Sequence, residues 1–74
     1  MEKVEHLWEK YNKYKETAEQ HEFVRLFMLD ARLIPAYNDL HINYNKEHAE
    51  AFVRVMTKVL KSLGVEIKGD DVNE

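Results

Sequence analysis

The sequence predicts an all-α fold, a small antiparallel bundle of three helices with a short irregular or helical insert after Pro35. Three observations carry this expectation. Apolar residues recur at spacings of three and four through most of the chain, the period of a helix with one buried side. Only two glycines and one proline interrupt 74 residues. Residues that start and stop helices stand at the ends of the periodic stretches. The length suits one domain, expected over 1–68, with helices over about 2–16, 18–33 and 46–63 and a flexible acidic tail over 69–74.

The first helix rests on Val4, Leu7, Tyr11, Tyr14 and Ala18, which fall in one narrow stripe with Trp8 beside them. The opposite side carries Glu2, Glu5, Glu9, Lys13 and Glu16. Thr17-Ala-Glu-Gln20 then has the pattern of a capping box, in which the threonine hydroxyl accepts from the glutamine amide and the glutamine side chain reaches back. A second helix is therefore expected from about Ala18. It should end before Pro35, because proline disfavours helical geometry in the residue that precedes it.

Residues 35–45 are expected to form a helical turn followed by an extended connector. Asn38-Asp39 favours a turn. Leu40, Ile42 and Tyr44 alternate with polar residues as a half-buried strand does, and pairing with 65–67 would change the class to α+β. The third helix has the clearest signals. Asn45 is a good N-cap, Glu47 suits the positive end of the helix dipole, and Gly64 follows as a stop, with Val65 placed to fold back on Leu60. Ala49, Phe52, Val53, Met56, Val59, Leu60 and Leu63 form its apolar face.

The second helix is apolar nearly all round. Phe23, Leu26, Phe27, Leu33 and Ile34 are expected to face the core, while Val24, Met28 and Ala31 make a second stripe. Only His21, Arg25 and Arg32 mark a solvent side. Such a helix is normally buried among neighbours, and this chain offers few. Either the segment after Pro35 covers the second stripe, or another chain does. The candidate partner-binding residues are accordingly Val24, Met28 and Ala31, with Arg25, Arg32 and Tyr37 around them. Asp30 falls inside the broad apolar face, where its carboxylate needs a tyrosine hydroxyl, an arginine or a helix N-terminus.

Composition removes several chemistries. With no cysteine there is no disulfide, thiolate metal site or thiol nucleophile. The four histidines never stand four apart, no hydroxyl residue has a nucleophile's surroundings, and no glycine-rich loop cradles a phosphate. No catalytic, metal or cofactor residues are therefore expected. A formal charge of −3, with Glu47 and Glu50 at the start of the third helix, argues against a small helix-turn-helix DNA-binding regulator. The N-terminal residues lack the apolar run of a signal peptide and no stretch is long enough to span a bilayer, so a cytoplasmic protein without membrane attachment is expected.

One enzyme family enters through two short motifs. Glu19-Gln-His-Glu22 and Glu47-His-Ala-Glu50 resemble the paired acidic motifs of all-α nucleotide pyrophosphohydrolases. The resemblance implies a homodimer in which carboxylates on adjacent helices hold magnesium against a nucleoside triphosphate. It covers these two tetrads alone, and the last acid of the family pattern is usually Asp where this chain has Glu50.

The leading expectation is non-catalytic: a helical protein–protein interaction module, acting as a regulator, adaptor or inhibitor by occupying a protein surface, its own copy or a different chain. Eight lysines against three arginines, with five asparagines, fit an AT-rich coding genome, such as a low-GC bacterium, its phage or a mobile element.

Overall fold

The computed structural model describes residues 2–67, and over them the chain is an all-α three-helix bundle. Helix α1 spans Glu2–Glu16, a 3₁₀ turn covers Gln20–Glu22, α2 spans Phe23–Ile42 and α3 spans Lys46–Ser62. No strand occurs among the described residues, so 40–44 and 65–67 do not pair as strands. The expected tail over 69–74 lies outside the described residues.

Helix α1 buries the stripe its sequence marks, with Val4, Leu7 and Tyr11 closed off from solvent. The capping box at its end does not form. The Thr17 hydroxyl instead donates back to the Tyr14 carbonyl at 3.2 Å, and the Thr17 amide donates to the same oxygen at 3.1 Å. Thr17 thus closes α1 rather than opening α2. The chain turns over the next residues, with Ala18 packed on the core, and α2 begins at Phe23 rather than Ala18.

The end of α2 is the larger correction. The helix runs through Pro35 to Ile42, 20 residues in all. Proline removes one donor and crowds the carbonyl four residues earlier, at a cost of about 3 kcal/mol. Here Pro35 and Ala31 are both exposed, so the freed Ala31 carbonyl is on the solvent side. Beyond the proline, Leu40 is buried in the core and Tyr37 stacks on Trp8, which returns the cost through burial. The connector shrinks to 43–45.

Helix α3 follows its signals closely. The Asn45 side chain accepts from the His48 amide at 3.1 Å. At the other end Gly64 adopts φ 83°, the Gly64 amide donates to the Lys61 carbonyl and the Val65 amide to the Leu60 carbonyl. These two bonds are a Schellman stop, and Val65 packs against the core as the motif requires.

The core joins Val4, Leu7 and Tyr11 to Leu26, Leu33 and Leu40 and to Ala49, Phe52, Met56 and Leu60. Helix α2 contributes one residue every seven positions. That spacing drifts only about 20° per repeat, so its buried row is a single narrow seam. The face of α2 turned away from this seam stays open, with Val24, Phe27 and Met28 all exposed.

Candidate interaction surface

The seam through Leu26, Leu33 and Leu40 decides what α2 shows to solvent. Half a helix turn away stand Val24, Met28 and Ala31, all exposed, in agreement with their sequence placement as a second stripe. Phe23, Phe27 and Ile34 join them. They are not core residues: Phe27 is 75% exposed and Phe23 54%. A helix apolar on every side has no phase of its own, and the partners on α1 and α3 select one row. The outward surface therefore runs from Phe23 through Val24, Phe27, Met28, Ala31, Ile34 and Pro35, after which the exposed Asn38 interrupts it before Ile42.

The charges form a border. Arg25 and Arg32 are exposed along one edge of this surface, and Asp39 lies on the same edge two turns further. The Arg25 guanidinium donates to the Ser62 hydroxyl at 3.0 Å, which holds it towards the end of α3. Arg32 borders a groove of about 300 Å³ between α2 and α3, walled by Leu33, Ala36, Ala51, Phe52 and Val55, with His48 as its other polar residue.

Tyr37 does not belong to the surface. It lies on the seam side of α2, its ring 4.4 Å from that of Trp8 and nearly parallel to it, with His41 against its edge at 4.6 Å. Burial, with the charges of Glu5 and Glu9 added, pushes its hydroxyl pKa above the ordinary value. The sequence placed it around the stripe, in the segment expected beyond the end of the helix.

Asp30 has the partner its position demanded, and a second one. The Tyr11 hydroxyl donates to Oδ1 at 2.5 Å, and Lys15 Nζ lies 3.1 and 3.2 Å from the two carboxylate oxygens. Burial first, then the Asp30 hydrogen bond and charge, raise the Tyr11 pKa well above that of a free phenol. Tyr14 makes a parallel bond to Glu22 at 2.6 Å, and that bond is the main cause of its raised pKa. Both pairs tie α1 to the start of α2. The arrangement is a structural tether.

The acidic tetrads do not assemble into a site within one chain. Among the described residues no group of three or more His, Asp or Glu side chains stands close enough to hold a metal ion, and Glu22 is engaged by Tyr14. No described helix is long and apolar enough to cross a membrane. Comparisons with protein-family models, curated proteins and solved structures return no match, so the surface is read on its chemistry alone.

Proposed function

We propose that this protein is a non-catalytic helical interaction module that acts as a regulator, adaptor or inhibitor by covering a protein surface with the outward face of α2. One observation carries the reading. On the outward face the run Phe23, Val24, Phe27, Met28, Ala31, Ile34 and Pro35 is uninterrupted by a polar side chain, and it includes three large apolar side chains more than 60% exposed: Val24, Phe27 and Met28. Continuous apolar patches of this extent on a small domain mark protein contacts. Methionine at position 28 adapts to an irregular partner, while Arg25 and Arg32 supply a polar border of the kind that surrounds interface cores. A cytoplasmic setting is part of the proposal.

The test is a photo-crosslinking residue introduced at Met28 and, as a control, at Lys13 on the outer side of α1, in cells producing the full chain. Defined protein adducts at position 28, including adducts between copies of this chain, and none at 13 are expected. Equal labelling at both positions, or none at 28, would refute the reading.

A further inference from the structure

We infer that the occupant of the α2 face is a second copy of this chain, its own α2 lying antiparallel across the first and crossing it at Ala31. The inference rests on the reading of α2 as a docking surface and adds what docks there.

The pattern around Ala31 is self-complementary. Ala31 sits near the middle of α2, which spans 23–42, and near the centre of the apolar face. Three and four residues before it stand Met28 and Phe27; three and four residues after it stand Ile34 and Pro35. A two-fold axis through Ala31 brings Met28 and Phe27 of each copy against Ile34 and Pro35 of the other. A small residue at the crossing point lets two helices approach to the 8–10 Å of ordinary packing, with larger side chains closing around it. In an isologous interface each such contact is made twice, so large apolar side chains on both sides of Ala31 meet one another rather than polar groups.

Charge placement agrees with the antiparallel sense. Arg25 lies towards the start of α2 and Asp39 towards its end, on the same edge of the apolar face. Reversing one helix sets Arg25 within about a turn of Asp39 on the second copy, twice by symmetry. The guanidinium has donors left beyond the one that bonds Ser62.

The area is also of the right size. Phe23, Val24, Phe27, Met28, Ile34 and Ile42 are between 38% and 78% exposed. With about 150–200 Å² for each such side chain when fully open, and leaving out Ile42, which this register sets beyond the start of the other α2, they present roughly 450–600 Å² of apolar surface per copy, the size of a weak, micromolar interface.

Three measurements test the arrangement on the full chain. Light scattering should give twice the 8.9 kDa chain mass at about 100 µM, a concentration that populates a dimer of micromolar Kd, and should fall towards one chain on dilution. Met28→Glu should remain helical by circular dichroism and scatter as one chain. Because the sequence has no cysteine, Ala31→Cys should oxidise to a disulfide-linked pair across the axis, whereas Lys13→Cys should not. A wild-type chain that is single at 100 µM overturns the inference, as does a dimer that survives Met28→Glu or links as readily through position 13 as through 31. A single chain that still gives adducts to another protein at Met28 overturns the second copy while keeping the docking face; a single chain without adducts removes both.

Discussion

Tyr11 and Asp30 meet at 2.5 Å, phenol to carboxylate, where α1 lies against the first turns of α2. Tyr11 is fully buried and Asp30 half-buried, and Lys15 balances the aspartate charge from the solvent side. A hydrogen bond to a charged acceptor contributes about 1.5–3 kcal/mol. Tyr11→Phe keeps the ring in the core and leaves Asp30 to Lys15 alone. It should lower unfolding free energy by about 1–3 kcal/mol in urea titrations. A change below a few tenths would show that the pair adds nothing beyond packing.

Burial of Tyr11, and then the same bond, give stability an alkaline limit. Tyr11 keeps its proton in the fold to a higher pH than the ordinary value of 10.0, and Tyr14 and Tyr37 shift in the same direction. Below pH 10 both folded and unfolded chains are protonated, and the stabilisation is fully present. Above it the unfolded chain releases protons first, so stability falls as pH rises through the folded values. The urea midpoint should decline more steeply above about pH 10 in wild type than in Tyr11→Phe. Parallel declines in the two proteins would assign the alkaline loss to other groups.

Gly64 is the one described position where the backbone demands glycine. Its φ of 83° is strained for any L side chain, while the space a Cβ would enter is empty. Gly64→Ala therefore meets strain without a clash, and should cost about 1 kcal/mol through the Schellman stop alone. Thermal unfolding should show a drop of about 4–8 °C for a domain of this size. An unchanged midpoint would mean that α3 can end equally well without the left-handed residue.

Legibility in the sequence followed how narrow each helix's apolar stripe is. In α1 and α3 the stripe is one-sided, so Val4, Leu7 and Tyr11, and likewise Phe52, Met56 and Leu60, could be assigned inward before any tertiary contact was known. In α2 almost every side is apolar, and periodicity alone could not choose which row turns inward. The deciding signal was the spacing of seven through Leu26, Leu33 and Leu40. Its last member lies beyond Pro35, where the local rule for proline ended the helix. One misplaced boundary thus moved Phe23, Phe27 and Ile34 into the expected core and Tyr37 onto the expected surface. Val24, Met28 and Ala31 kept their outward place, because four- and three-residue spacing sets them opposite any seam that contains Leu33.

That boundary can be tested directly. If α2 is continuous through Pro35, Pro35→Ala restores the amide that the Ala31 carbonyl lacks, at an exposed position. The substitution should then stabilise the fold by about 1–3 kcal/mol, the cost of proline inside a helix less what relaxation already recovers. A helix ending at residue 33 would instead gain little, since its last carbonyls would already be free. Leu40→Ala supplies the complementary outcome. With Leu40 only 3% exposed, truncation should cost about 2–4 kcal/mol, whereas Ile42→Ala, at 78% exposure two residues away, should cost little within one chain. Equal effects at 40 and 42 would place both residues in a connector. A large loss at 40 beside a small one at 42, together with the gain from Pro35→Ala, would confirm that the buried seam extends past the proline and that the opposite face is open along the whole helix.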